Sequence, residues 1–423
     1  MKRLQEKVKD IVDVRTFQGV SDYTSDPETV LSAYCFTDST SALMAKWLDA
    51  AGRVTDQSGA ALALAGYRGV GKSHFLAALG AVLAKAELRS RVQDSHVSAS
   101  ALSLMRRRYP VVRVRRGLKA TLLEELYEGI IAEFGEENPF PVESPTELLA
   151  EAAKRVGDLP LIVIVDTAME RTSRVSRDDG PVLGELAEVA KGRNVMLCLA
   201  LDDDISGADG TNAAIARTYS IDFLDQEHLY KVVNAHVFPK NQGVEPVIAD
   251  IYEFFRSVVP NFRWSSQKFS LLYPLHPGIL EVAPYVRLFV QEFALLGFAS
   301  EAGKRILGRP ANSLIAFDEV FDAAESSLRK MADLQDAFAA YDKLNSEVVA
   351  KIPVIQRLQA KLILKALLLL SLDGRGATAE DICAAMLIYD ESDPQKAAEV
   401  VKGIIEQFSA ALPDDIAVRQ FGG

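Results

Sequence analysis

Cysteine is scarce: Cys35, Cys198 and Cys383 lie far apart in 423 residues and form no CxxC pair. That excludes a disulfide framework or a zinc ribbon and fits a reducing cytoplasm. His74, His96, His228, His236 and His276 also stand at no metal-ligand spacing from a cysteine or from one another. A basic excess is missing as well. Lys+Arg number 47 against 58 Asp+Glu, a net charge of −11, which excludes an all-over nucleic-acid-binding coat while leaving room for a local patch. The longest apolar run, Leu362 to Leu372, is interrupted by Lys365. It is too short for a bilayer, which takes ~20 apolar residues, and reads as a buried helix. Met1 to Asp13 is charged and has no apolar h-region, so no targeting segment is expected there. There is no internal repeat and no low-complexity tract. With 25% charged and 49% hydrophobic residues the chain is not disordered, and its length predicts two to three domains at ~150 residues each.

What is present falls into two halves. In the first, short apolar runs alternate with amphipathic stretches. Strands are predicted at Ala61–Ala65, Tyr109–Val114, Leu161–Val165, Val195–Leu201 and Thr218–Phe223. Helices are predicted at Ser73–Leu88, from the Ser144-Pro145-Thr146-Glu147 capping box to about Val156, and at Pro181–Ala190. This is an α/β pattern with a mainly parallel five-stranded sheet. After about Asp225 only helices are expected: 227–237, 247–258, 277–293, 301–306, and longer ones from about Ala324 to Leu372. Asp373-Gly374-Arg375-Gly376 then turns the chain into Thr378–Leu387, and Asp393-Pro394 opens a last helix to about Ala411. With a strand at Ile416–Gln420, this order sketches a winged helix that lacks its return strand, as expected of the N-terminal part of a longer protein.

Gly66-Tyr67-Arg68-Gly69-Val70-Gly71-Lys72-Ser73 matches GxxxxGK[ST] between a predicted strand and a predicted helix. Glycines there let backbone N–H groups turn inward around phosphate oxygens, and the helix start adds its positive end. Lys72 is expected to reach the β- and γ-phosphates of ATP, and the Ser73 hydroxyl to ligate Mg²⁺. His74, next in the chain, either touches nucleotide or simply starts the helix. A phosphate loop also needs an acid at the end of a neighbouring strand to hold the metal, and Asp166 after Leu161-Ile162-Val163-Ile164-Val165 provides one.

Other positions leave two readings open. ATPases of this class place a glutamate directly after that aspartate to activate water, and here Thr167 stands in its place. Glu170 is the nearest substitute as base, or else a solvated loop residue. Hydrolysis is then slow, or the site mainly binds. Asp202-Asp203-Asp204 follows the fourth strand and reads chiefly as a solvated turn. Arg217 precedes the fifth strand, from where an arginine can reach a neighbouring subunit's nucleotide and stabilise transferring-phosphoryl charge; the alternative is a surface arginine. Seven basic residues between Arg106 and Lys119 are either a phosphate-contacting patch or a helix end plus a solvated strand face, with Arg113 and Arg115 on one side. Acids outnumber bases over Thr378–Leu412, which opposes DNA reading there and favours protein contact or packing. His276 before Pro277 reads as a capped helix start. Tyr34 and Phe36 are either an adenine stack or core.

Taken together these residues resemble an AAA+ ATPase of the origin-recognition-like type. Gly66 to Leu76, with Tyr273–Pro277, Gly308–Ile315 and Leu364–Ile382, resembles more narrowly the phage-defence ATPases of the BREX and Pgl systems, whose members are much longer. The resemblance implies a P-loop core over 1–235 with an N-terminal extension, an all-helical lid over 236–340 and a winged-helix-like domain over 341–423. It implies a cytoplasmic ATPase that forms homo-oligomers through its ATP site and works with other defence proteins, on DNA in one reading, without a membrane. The alternative is an ATP-dependent switch that docks partners without hydrolysis.

Overall fold

In the computed structural model the apolar runs do become strands: β1 Ala60–Ala65, β2 Val111–Arg116, β3 Leu161–Thr167, β4 Val195–Leu201 and β5 Ser220–Phe223. The structure describes residues 6–17, 22–66, 69–104, 107–135, 142–167, 179–201, 210–290, 293–414 and 416. The chain divides into two units, Gln18–His228 and Met1–Phe17 with Leu229–Gly423.

The first unit is a five-stranded sheet in the order β2-β3-β4-β1-β5, parallel throughout. Side chains alternate across it as the strand period requires. Leu62, Leu64, Ile162, Ile164, Met196 and Cys198 enter one core, under the helices Asp38–Arg53 and Lys72–Ala84. Ala63, Val163, Val165, Leu197 and Leu199 enter the other, under Leu122–Phe134, Pro145–Arg155 and Gly180–Lys191. Both faces are covered, which is why β3 and β4 carry unbroken apolar runs. Several boundaries differ from the sequence expectation. Pairing of Arg115 with Asp166 and Arg116 with Thr167 carries β2 to Arg116, and Pro110, which has no N–H, precedes it. Thr218 ends a helix, Gly210–Thr218, its hydroxyl donating to Ala214 O at 2.8 Å, so β5 starts at Ser220. The predicted 73–88 helix is two, Lys72–Ala84 and Ala86–Arg89, broken where Lys85 turns extended. Ser144 caps its helix as expected, accepting from the Glu147 N–H at 3.2 Å.

The second unit is helical, with no strand among its described residues beyond isolated bridges. It includes the N-terminal segment, which the sequence reading attached to the α/β core. Val8, Ile11 and Val12 are buried with Phe238, Ala302 and Ile306, and Val12 bridges to Lys240. One continuous core joins residues across 236–340 and 341–423, from Phe255 and Phe317 to Leu364 and Phe408. The helices Ala379–Met386 and Pro394–Ala411 are capped by Thr378 and Asp393. The expected strand at Ile416–Gln420 lies, from 417 onward, outside the described residues. Among the described residues no helix is long and apolar enough to cross a membrane.

His276 is fully buried in this core, edge-on to Trp264 at 4.6 Å and Phe317 at 5.4 Å. Its Nε2 donates to Ala384 O at 2.9 Å and its Nδ1 accepts from the Gly278 N–H at 3.1 Å, just ahead of the helix Ile279–Phe289. The capped start predicted from the sequence is not formed: Gly278 is the N-cap without a side-chain cap, Pro277 lies ahead of it rather than at the first helical position, and His276 is instead a core residue. Burial pushes the imidazole down to about 3, so the folded state keeps it neutral while the unfolded chain protonates it below its ordinary value of 6.5. Between these values the unfolded state binds the extra proton, so stability is full above pH 6.5 and falls as pH drops. Lowering pH from 7 to 5 should cost about 2 kcal/mol through this residue, at 1.36 kcal/mol per pH unit. Urea unfolding at both pH values should show that dependence shrink in His276→Gln.

Candidate phosphate site

The site forms where β1 ends. Gly66 has φ 149°, Gly69 φ 84° and Gly71 φ 106°. At Gly66 the need is doubled, since a Cβ would lie 2.3 Å from Leu224 O. Gly71 sits in the left-handed region as the N-cap of Lys72–Ala84, a conformation that L side chains rarely adopt. The first N–H groups of that helix have no intrahelical acceptor and leave an anion-attracting end. Val70, 1% exposed, pins the loop to the core.

Lys72 is buried, and its Nζ donates to Gly66 O at 2.6 Å. The Ser73 hydroxyl donates to Asp166 Oδ1 at 3.0 Å, joining the helix start to the end of β3 across the intervening strand β4. Hydroxyl and carboxylate oxygens thus converge beside an N–H-rich turn. This donor set suits a hard divalent cation that keeps waters and shares phosphate oxygens. Among the described residues no cluster of three or more His, Cys, Asp or Glu could hold a metal by itself. A cation here would therefore be held jointly with phosphates by Ser73 and Asp166.

The structure brings Gly66, Gly69, Val70, Gly71, Lys72, Ser73 and Asp166 together. His74 is half-buried in the first helical turn. Arg217 is solvent-exposed in the last turn of its helix. Tyr67, Arg68, Glu170 and Asp202-Asp203-Asp204 lie outside the described residues. Part of the basic run serves the fold. Arg107 Nη1 donates to Gly52 O at 2.6 Å, and Arg113 pairs with Asp22 at 2.6 Å over the Tyr23 ring. Arg115 is exposed and Arg116 half-buried, on opposite faces of β2. Tyr34 and Phe36 pack edge-to-face at 4.8 Å against the core.

Sequence reasoning missed His228. It is buried, with Nδ1 2.7 Å from Asp225 O, and burial holds its pKa below the ordinary imidazole value. No motif marks it; only the position just beyond β5, the strand beside β1, could have drawn attention.

Among comparisons, the family model described as the DUF6079 second domain matches residues 241–418. No curated protein matches the chain. It is similar to AMPPCP-bound DnaA from Aquifex aeolicus, at 11% identity over 90% of this chain and 93% of that one, with a TM-score of 0.29. It is also similar to Drosophila ORC bound to DNA, at 13% identity over 86% and 92%, with a TM-score of 0.26. Likenesses at this level decide neither fold nor function.

Proposed function

We propose that the chain is an AAA+-type P-loop ATPase that binds ATP with Mg²⁺ and uses hydrolysis to drive or gate a DNA-linked phage-defence complex of the BREX or Pgl kind. The observation that carries the nucleotide reading is the Ser73 hydroxyl 3.0 Å from Asp166, beside the positive-φ glycine loop. In this reading the N–H groups from Gly69 to His74 cradle the phosphates, with Tyr67 and Arg68 completing the loop. Lys72 leaves the Gly66 carbonyl for the β- and γ-phosphates. Mg²⁺, bound by Ser73 and Asp166, supplies charge neutralisation on the phosphate oxygens. Glu170 takes the role of water-activating base. Arg217, exposed before β5, completes the site of a neighbouring copy in a homo-oligomer. Residues 236–340 act as the lid and 341–423 as a winged-helix-like element. The defence and DNA assignments rest on the sequence resemblance, with Arg115 and Arg116 as candidate phosphate contacts.

One observation favours a second reading, an ATP-dependent switch without useful turnover: Thr167 stands where such ATPases carry their base. Steady-state ATP turnover of the full chain, with and without duplex DNA, separates the two. Turnover that vanishes in Lys72→Ala supports the ATPase. ATP binding without turnover selects the switch, and absence of both refutes the nucleotide site.

A further inference from the structure

The helix Val354–Ser371 is apolar on two faces. Ala360, Ile363 and Leu364 turn into the core of the helical unit. On the other side Val354, Ile355 and Leu358 are 76%, 91% and 70% exposed, and half-buried Leu362 continues the strip toward the core. With 3.6 residues to a turn these four side chains fall within about 100° of the helix circumference, the width of a seam for one partner helix. Isolated apolar side chains are ordinary on a protein surface, but a contiguous strip rimmed by polar residues marks a contact site.

The rim is basic. Lys351, just before the helix, is exposed, as are Arg357 and Lys361 along one side of the strip. Arg357 donates to Ile352 O at 2.9 Å and to Ala350 O at 2.8 Å, both uncharged acceptors. Lys351 and Lys361 have no ion-pair partner among the described residues. From Val348 to Leu372 the sequence has four bases and no acid, in a chain of net charge −11. The fourth base, Lys365, is the one that pairs with an acid, Asp322. Charge of this sign, held against the sign of the whole chain and left unpaired, is complementary to an acidic surface.

The strip and its rim together select the occupant. A phosphate backbone would answer the bases but leave the aliphatic side chains in water. A second copy of this helix would cover the strip but bring four more bases and no acid. An amphipathic helix with an apolar face and carboxylates along one edge does both. We infer that the start of the helix Val354–Ser371 is a docking surface for such an acidic amphipathic helix of a partner protein. Its apolar side chains seat on Val354, Ile355 and Leu358, and its carboxylates meet Lys351, Arg357 and Lys361. The surface lies within the helical unit, so the inference stands whether or not the phosphate site binds nucleotide.

The test is an anisotropy titration of the full chain against two fluorescein-labelled peptides of about 20 residues, long enough to hold a helix. Both carry leucines along one face; one has glutamates beside that face and the other has lysines in their place. The glutamate peptide should bind saturably and the lysine peptide at least about tenfold more weakly. Ile355→Gln and Leu358→Gln should each raise the Kd for the glutamate peptide about tenfold, and Lys361→Gln about threefold. All three sites are exposed, so thermal midpoints should stay at the wild-type value. Leu102→Gln, at an exposed leucine of the α/β unit, should leave binding unchanged. Equal affinity for the two peptides, binding of neither, or indifference to Ile355→Gln and Leu358→Gln overturns the inference. If neither binds, sedimentation of the chain alone and with phosphatidylglycerol vesicles tells whether a second copy or a lipid surface takes the strip instead.

Discussion

Asp166→Asn is expected to lower ATP turnover by about two to three orders of magnitude, the scale on which a single transition-state charge contact acts, and to abolish the Mg²⁺ dependence of ATP affinity. The substitution is nearly isosteric, so the side chain can still accept from the Ser73 hydroxyl, now 3.0 Å from Asp166 Oδ1. What it loses is the negative charge. In water a carboxylate and a divalent cation attract weakly, but next to a strand end packed on both faces the effective dielectric falls and the charge matters more. Asp166 is only half-buried, and stability should change by less than about 1 kcal/mol, as for most exchanges outside the core. ATP affinity measured in EDTA should stay within about twofold, because the N–H cradle and Lys72 are untouched. Turnover close to wild type would place the metal-holding acid elsewhere. Parallel loss of melting temperature and activity would make Asp166 a structural partner of Ser73.

Much of this site was legible because its parts are local. The GxxxxGK[ST] spacing specifies a loop and helix start within eight residues, and β3 announces itself by five apolar residues before Asp166. The strand-to-strand distance between Ser73 and Asp166 then follows from sheet order, which alternation of apolar runs suggests but does not prove. Contacts made between distant segments were not legible. His228 lies beside Gly71 only because β5 docks beside β1, and β5 itself, with half-exposed Ile221 and Asp222, carries a weak apolar signal. Lys46 and Trp47 hold it by hydrogen-bonding Asp222 at 2.6 and 2.8 Å, a pairing no local pattern announces. The N-terminal segment misled for a similar reason. Val8, Ile11 and Val12 are three apolar residues among charges, too few to show periodicity, yet all are buried. The basic run was ambiguous because charge alone does not say what a long side chain does, and Arg107 and Arg113 turned out to serve the backbone and Asp22.

Arg89→Met should destabilise the α/β unit by about 3–5 kcal/mol, enough to consume a large part of the 5–15 kcal/mol typical of a domain. Arg89 closes the short helix Ala86–Arg89 and is only 1% exposed. Its guanidinium has no carboxylate partner among its hydrogen bonds. Nε donates to Val82 O at 3.0 Å, Nη2 to Leu83 O at 2.6 Å, and Nη1 to Arg107 O at 2.8 Å and to Leu104 O. Val82 and Leu83 belong to the last turn of the helix that begins at Lys72, whose terminal carbonyls lack intrahelical donors. Leu104 and Arg107 follow the end of the helix Ser95–Ser103. The cation thus sits against the negative ends of two helices, which favours its charge while burial opposes it. Methionine keeps much of the volume but strands all four carbonyls, at about 1–3 kcal/mol for each one water cannot reach. Arg89→Lys should fall between, since an ammonium supplies three donors without the planar fork that spans both helix ends. Urea unfolding at neutral pH gives both numbers, and the lysine variant keeps the comparison measurable if the methionine variant fails to fold. A loss under about 1 kcal/mol in Arg89→Met would mean that these carbonyls find other donors. If the ranking holds, the lysine variant should also bind ATP as wild type does, because the cap lies at the far end of the helix from Lys72 and Ser73.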